Sequence, residues 1–503
     1  GRNSMHLLCL VAAFGMFSWQ ANAQEPDPKA EALRKRRQTY PDLFKVVDLA
    51  HAVPSQFSAD ALLKVAATPS NQDREWRIEL LELAFEFGAR ASEPNRQRIP
   101  GWRITAKGRA EIRSAGFDQL LDRLSLQSRA VREMMKLDKK RALEMFERVS
   151  WPHPRRLDCR DALIDNFDEY YELLSEVEAS GFPAGQRRMG HHVDLLSRQI
   201  SRISSSVEIG SMAKVLSSST VTDDELGLLV GRLSVALEQT NADDRSFSSA
   251  YGKNHQELLN LTNVMRTRGI STRVIVAAYR RYLVRNLKGP RCIDSGGSEL
   301  SSEVLSTFNR ELASDSDSNL APLAEDDIKP SATRGQADLE LFVDDDEFDR
   351  VWKEYLDLLL GKGHGPLLAA GTKPLTDAQK SGIEWQTQFD SFLGRIDELK
   401  PRIGESEHQT FHRKATALNA ALRVARRGSD QERVIRRYVA ILKSSNLQEE
   451  NALEWYAEVK RAASSVRGCG PEASSIFLRE LEHSGVAVLG LCAAATKFLP
   501  DAN

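Results

Sequence analysis

Apolar residues recur every three or four positions along most of this 503-residue chain, and that spacing is typical of amphipathic helices. The segment REWRIELLELAFEFGARA, at 74–91, places Trp76, Leu80, Leu83 and Phe87 on one helical face. Strict alternation of apolar and polar residues between hairpin turns, the signature of β-strands, is not convincing anywhere in the sequence. The sequence therefore predicts an all-α protein.

The predicted helices are mostly 10 to 20 residues long and are joined by short turns such as TPSNQD and SGFPAGQ. Short connections favour antiparallel helix pairs. Many pairs in succession give either an α-solenoid or a closed ring of hairpins, and we expect a solenoid of the general tetratricopeptide or HEAT architecture. No steady 34-residue period is present, so the pattern identifies no particular repeat family.

A polar segment divides the chain into two helical regions. Residues 294–336 are rich in Ser, Asp, Gly and Pro and poor in apolar residues, which is typical of a flexible linker or a long surface loop. Within it, SEVLSTFNREL is the one stretch with a helical pattern. We therefore expect an N-terminal helical-repeat region at 24–293 and a C-terminal helical region at 337–503.

The first residues predict export. The apolar stretch at 7–19 is shorter than the roughly 20 residues that a membrane-spanning helix needs. It is followed by Ala21 and Ala23, small residues at the spacing that signal peptidase accepts, and then by a polar segment. We expect residues 1–23 to be a signal peptide. The mature protein would then work in the periplasm or outside the cell, with no transmembrane anchor.

Four cysteines follow the predicted cleavage site. Cys159 and Cys292 lie in polar, loop-like contexts, and we favour a disulfide between them because an exported protein meets an oxidising environment. The alternative is four free, mostly buried thiols. The spacing C-x-x-C does not occur, so a cysteine zinc site or a dithiol redox site is not expected.

The charge of the chain is nearly balanced but unevenly distributed. The formal net charge is −2, which indicates neither nucleic acid nor anionic lipid as a general partner. Residues 314–350 carry 12 acidic and 3 basic side chains, whereas residues 409–444 carry 9 basic and 2 acidic ones. The basic helices could bind an external anion or the acidic segment. We favour two ordinary solvated faces, which would attract each other across the domain.

An acidic cluster in the segment LDCRDALIDNFDEYY contains the first candidate site. The spacing of Asp158, Asp161 and Asp165 would put all three on one face if this segment were helical, and Asp168 and Glu169 follow. Clustered carboxylates can perform the acid–base chemistry of glycoside cleavage. The alternative, which we favour, is a charge pattern that stabilises a helix N-terminus.

A second candidate is formed by Glu405, His408 and His412, which would share one helical face. Two imidazoles and a carboxylate are adequate ligands for zinc or another transition metal. The protease form H-E-x-x-H is absent, and the adjacent Arg413 and Lys414 would repel a cation. We therefore expect two surface histidines, and no metal or other cofactor.

Recognisable catalytic motifs are missing from the sequence. It contains neither the phosphate-binding G-x-x-x-x-G-K-[ST] nor the nucleophile elbow G-x-S-x-G. We therefore expect an exported scaffold that binds a protein, a peptide or an envelope component, and not an enzyme. The alternative is an exported all-α polysaccharide hydrolase or lyase that uses Asp161, Asp165, Asp168 and Glu169.

Overall fold

The computed structural model describes residues 28–91, 95–98, 109–151, 153–293, 297–313, 320–335, 350–351, 353–355, 357–358, 380, 382–401, 405–445 and 451–499. The predicted signal peptide lies outside these ranges. The described residues are predominantly helical, with very short strands, which confirms the all-α prediction. In this part of the chain no helix combines the length and apolar character needed to cross a membrane.

The helices of the first region begin soon after the predicted cleavage site. They are α1 (Pro28–Thr39), α2 (Pro41–Ala50), α3 (Ser55–Ala67), α4 (Arg74–Ala89), α5 (Arg109–Phe117), α6 (Arg123–Leu137), α7 (Lys139–Glu147), α8 (Asp168–Ser180), α9 (Ala184–Arg188), α10 (His191–Ile200), α11 (Ser206–Ser218), α12 (Asp223–Gln239), α13 (Asp244–Thr267) and α14 (Arg273–Lys288). Helix α15 (Gly297–Phe308) follows, within the segment expected to be a linker.

The helices of the second region follow after the acidic segment. They are α16 (Ile383–Glu398), α17 (Glu407–Val424), α18 (Ser429–Ser444), α19 (Ala452–Gly468), α20 (Pro471–Glu482) and α21 (Ala487–Phe498). Two short strand pairs hold loops of the first region in place. Strand β1 (Arg96–Arg98) pairs antiparallel with β2 (Leu163–Asp165), and β3 (Arg291–Cys292) pairs parallel with β4 (Thr333–Arg334).

Side-chain caps define where several helices begin. The Asp73 carboxylate accepts a hydrogen bond from the Trp76 backbone N–H and starts α4. Helices α11 and α12 each begin with a capping box, in which Ser205 or Thr222 pairs with a glutamate three residues later. Such caps satisfy backbone N–H groups that have no partner within the helix, and each contributes about 1 kcal/mol.

The helices of the first region pack in two rows. In one row α4 contacts α6, α6 contacts α8, α8 contacts α11, and α11 contacts α13. In the other row α10 contacts α12, which contacts α14. Both rows bury apolar faces of their helices; on α12, for example, Leu226, Leu229, Val230 and Leu233 are all buried.

The second region packs against the beginning of the first. Helix α21 contacts α2 and α3, and α19 contacts α5. The rings of Phe57 and Tyr456 lie 5.0 Å apart across this junction. Gly116 allows α5 to approach α19 closely, because a Cβ atom there would lie 3.0 Å from the backbone nitrogen of Glu454. The two ends of the described chain are therefore brought together.

Parts of the segment expected to be a flexible linker are packed onto the first region. Phe308 of α15 is fully buried, with its ring 6.1 Å from that of Tyr279. Asp327 forms a 3.0 Å ion pair with Arg280, and β4 pairs with β3. The average composition of 294–336 is polar, but the fold buries several of its apolar side chains: Val304, Phe308, Leu312, Leu323 and Ile328.

Candidate functional site

Cys159 and Cys292 form a disulfide, with their Cα atoms 5.4 Å apart. The bridge ties the loop before β2 to strand β3, beside the start of α13. Asp244 supports this corner, because its carboxylate accepts a 2.7 Å hydrogen bond from the Cys292 backbone N–H and pairs with the Arg291 guanidinium. The other two described cysteines, Cys469 and Cys492, are not bridged.

The acidic cluster does not lie on one helical face, so that interpretation is wrong. Asp161 lies in the loop before β2, Asp165 ends β2, and α8 begins only at Asp168. The reason is a contact with residues that are distant in the sequence. Pairing of β2 with β1 holds the chain extended, and the buried Asp165 carboxylate contacts Arg96, 69 residues away, at 3.3 Å.

Each of the four candidate acids has its own cationic partner. Asp161 pairs with Arg155 at 2.8 Å, Asp165 with Arg96, and Glu169 with Arg132 at 3.1 Å. Asp168 lines a depression of about 380 Å³, where it pairs with the Lys253 ammonium and accepts a 2.9 Å hydrogen bond from the Ser211 hydroxyl. Asp161 and Asp165 are also linked through Arg155, whose backbone N–H donates a 3.1 Å hydrogen bond to Asp165. The charge of each acid is therefore balanced by a different cationic side chain.

A buried carboxyl group that the sequence analysis did not single out lies close to this cluster. Glu208, in the capping box of α11, is fully buried and accepts hydrogen bonds from the backbone N–H groups of Ser204 and Ser205 and from the Tyr171 hydroxyl. Burial raises the pKa of Glu208 to about 7, although the two backbone donors lower it. The spacing Ser-x-x-Glu marks the capping box in the sequence, but its burial depends on the fold.

Glu208→Gln is expected to remove the loss of stability that wild type undergoes as pH rises and Glu208 ionises. Because the pKa of Glu208 is higher in the folded protein than its ordinary 4.5, this group contributes most below pH 4.5, and its contribution falls as pH rises through about 7. Relative to wild type, the variant should gain roughly 2–3 kcal/mol between pH 4.5 and pH 8. Urea denaturation of both proteins across this range measures the difference.

Glu225→Gln in the capping box of α12 is the matched control. Hydrogen bonding from the Thr222 backbone lowers the pKa of Glu225, so this substitution should reduce stability above pH 4.5 instead of increasing it. A difference between Glu208→Gln and wild type that does not change with pH would contradict the expected titration.

Glu405, His408 and His412 do not converge on one point. His408 and His412 lie on one face of α17, as expected, but they are buried against α19 and not exposed. The Nδ1 atom of His408 lies 2.7 Å from a Glu454 carboxylate oxygen, and that of His412 lies 3.1 Å from Glu458. Glu405 pairs with Arg413 at 2.7 Å. The expectation of surface histidines is therefore wrong, because both imidazoles are buried between α17 and α19, where each contacts a glutamate.

No group of three or more His, Cys, Asp or Glu side chains suited to a metal ion occurs among the described residues.

Several basic residues of 409–444 have acidic partners within the second region. Arg433 and Arg437 pair with Asp390 and Asp397 of α16, at 2.8 and 3.1 Å. Arg436 approaches Glu480 of α20 at 3.4 Å. Most of the acidic segment 314–350 lies outside the described residues. The observed pairs join neighbouring helices of one region across their solvated faces.

Two adjoining cavities lie where the second region meets the first, and together we name them the junction groove. Lys64 of α3 and Tyr456 and Lys460 of α19 line both cavities. The first cavity, the apolar lobe, has a volume of about 490 Å³ and extends between α19, α20 and α21. The second, the polar lobe, has a volume of about 460 Å³ and extends along α3 and α6.

The polar lobe is built around a buried ion-pair network. Asp60 pairs with Lys64 and with Arg129, both at 2.9 Å. Burial acts to raise the pKa of Asp60, but these two cations overcome it and hold the pKa at about 2. Asp60 therefore stays ionised, and Lys64 and Arg129 are fixed beside the entrance to the apolar lobe.

The apolar lobe, named for its aliphatic wall, is also lined by the hydroxyl side chains of Ser464, Ser474 and Thr496 and by cationic side chains. Burial raises the pKa of the Cys492 thiol to about 11, so this side chain is neutral at physiological pH. Lys460 and Arg467 stand seven residues apart on α19 and both line the lobe. The apolar wall contains Val459, Ala463, Phe477, Leu478, Leu481 and Leu499.

Sequence reasoning did not find this groove. Lys64 and Lys460 are separated by almost 400 positions, and each lies within an ordinary amphipathic helix, so no local spacing distinguishes them from other surface lysines. No protein-family model, curated protein or solved structure matches this chain. A proposal for its function therefore depends on the geometry described above.

Proposed function

We propose that this protein is an exported α-helical binding module and that the junction groove holds its ligand, an envelope component. The observation that carries this proposal is the meeting of two cavities at Lys64, Tyr456 and Lys460. Concave sites with mainly apolar walls and a few charged or polar groups are the usual form of ligand pockets, and volumes of about 300–1,000 Å³ are typical.

The contacts of the acidic cluster favour binding over polysaccharide cleavage. A glycosidase needs two carboxyl groups about 5–10 Å apart on either side of the substrate, whereas Asp161, Asp165 and Glu169 each pair with a different arginine. Tyr170 and Tyr171 have exposed fractions of 3% and 2%, so neither offers a platform for a sugar ring. The hydrolase or lyase alternative therefore has less support.

The helix contacts are consistent with a solenoid-like first region. In an α-solenoid each helix packs on its counterpart in the next pair, which creates two parallel rows. The successions α4–α6–α8–α11–α13 and α10–α12–α14 have this form. In this proposal the second region packs against the start of the rows and supplies one wall of the groove.

Export is supported by two independent features. The apolar stretch at 7–19 followed by small residues matches a secretory signal. The disulfide between Cys159 and Cys292 suits an oxidising compartment such as the periplasm or the extracellular space.

Blocking the groove should abolish ligand retention. In Ala463→Trp a large ring projects into the apolar lobe, whereas in the control Ala440→Trp the same ring projects from an exposed position on α18. Each protein is incubated separately with envelope extract and cytoplasmic extract of the producing cell. Native mass spectrometry then identifies the molecules that stay bound after purification.

We expect wild type and Ala440→Trp to retain the same ligand from the envelope extract, and Ala463→Trp to retain none. Circular dichroism establishes that all three proteins are equally helical. Equal retention by Ala463→Trp, or retention from the cytoplasmic extract alone, would contradict the proposal.

A further inference from the structure

The walls of the apolar lobe restrict the chemistry of its ligand. Its described lining residues include Phe477, Leu478 and Leu481 of α20 and Leu499 just after α21, and none of them is acidic. A lobe of about 490 Å³ with such walls accepts an apolar group the size of a small drug molecule. Burial of that group removes apolar surface from water, which favours binding.

The edge of the lobe carries positive charge that is not neutralised locally. Among the described residues, no carboxylate lies within 4.0 Å of the charged groups of Lys460 or Arg467, in contrast to Lys64 and Arg129. The Lys460 ammonium lies 5.5 Å from the centre of the Tyr456 ring. An anionic group at this point would meet Lys460 and the neighbouring Lys64 together.

The polar groups of the lobe are poorly suited to a peptide backbone. The lining residues lie mainly on helices, whose backbone groups are already paired. Two of the hydroxyls are also engaged, because Ser474 donates to the Gly470 carbonyl and Thr496 donates to that of Cys492. Buried peptide groups without partners cost several kcal/mol, whereas a hydrocarbon chain needs no partner.

We infer that the junction groove binds a single aliphatic chain with one anionic head group, the chain in the apolar lobe and the head at Lys460 beside Lys64. This inference rests on the proposed function and names the class of envelope component. A carboxylate or a phosphate can serve as the head, since both accept charge-assisted hydrogen bonds from an ammonium group.

The electrostatics of the groove also favour an anionic head group. Desolvation lowers the pKa of Lys460, and the charges of Lys64 and Arg467 lower it further. Asp60 and Cys492 act to raise the pKa of Lys460, but the net direction is downward. The lowering effects disfavour a second positive charge at this point. A bound anion compensates them, so binding should weaken at alkaline pH as Lys460 loses its proton.

Isothermal titration calorimetry of the full chain with dodecanoate, below its micelle concentration, tests the inference. Dodecan-1-ol tests the need for charge, dodecyltrimethylammonium tests its sign, and dodecyl phosphate distinguishes the two head groups. The variants are Lys460→Gln, Ala463→Trp and Ala495→Phe, which fills the lobe from α21. The control is Lys139→Gln, which removes an exposed lysine at the start of α7.

We expect saturable 1:1 binding of dodecanoate or dodecyl phosphate, about tenfold weaker in Lys460→Gln and unchanged in Lys139→Gln. At least one of the two filling variants should fold and bind neither anion. Absence of saturable binding of both anions, equal binding of the alcohol or the cation, or an unchanged affinity in Lys460→Gln would overturn the inference. If groove-dependent retention of some other ligand persisted in the extract experiment, the proposed function would still stand.

Discussion

Replacing both bridging cysteines, Cys159→Ser together with Cys292→Ser, is expected to lower the free energy of unfolding by about 4–5 kcal/mol. The bridge joins positions 133 residues apart, and a cross-link over so long a loop removes much conformational freedom from the unfolded chain. Urea denaturation followed by circular dichroism measures the loss.

The matched control is Cys469→Ser, because Cys469 is half-buried and not bridged. This variant should stay within about 1 kcal/mol of wild type. A reducing agent should lower the stability of wild type to that of the double variant and leave the double variant unchanged. If reduction has no effect on wild type, the two cysteines do not form a stabilising bridge.

Trp455→Ala is expected to cost about 3–5 kcal/mol, because removal of a large buried side chain leaves a cavity that its neighbours fill only in part. Trp455 is fully buried on α19, and its indole N–H donates a 3.0 Å hydrogen bond to the Leu442 carbonyl of α18. Tyr456 and Lys460, on the same helix, line the junction groove. A loosened α19 should therefore also reduce ligand retention.

Two further variants separate these effects. Trp455→Phe keeps most of the apolar volume but loses the hydrogen bond, so its cost should be smaller than that of the alanine variant. Ile383→Ala changes a side chain that is 87% exposed and should be nearly neutral. Thermal and urea denaturation rank the stabilities of Trp455→Ala, Trp455→Phe and Ile383→Ala. A Trp455→Ala protein within 1 kcal/mol of wild type would show that α19 is not held by this residue.

The local features of the fold could be predicted because they depend on short-range spacing. The segment 74–91 forms α4 as expected, with Trp76 and Leu80 buried. Leu83 and Phe87 are only partly buried, because the core-facing side of α4 is formed by other apolar residues of the same segment: Ile78, Leu81 and Phe85. The π-helical turn Asn309–Ala313 after α15 and the burial of Leu323 and Ile328 were not predicted, since both depend on how this segment packs in the fold and not on local spacing.

The positions of the candidate acids and histidines could be predicted only in part. The spacing of His408 and His412 correctly placed them on one helical face, but burial against Glu454 and Glu458 depends on how α17 and α19 pack. Asp165 was expected on a helix because its spacing is helical. Its interaction with Arg96 across a strand pair outweighs that local preference.

The sequence by itself determined that the chain is helical, because an amphipathic period of 3.6 residues is a property of neighbouring positions. The tertiary structure alone decided that Lys64 and Lys460 share one groove. It also decided which cation pairs with each of the four candidate acids. These long-range contacts depend on how whole helices pack against one another. Contacts between residues far apart in the chain produce no regular spacing in the sequence.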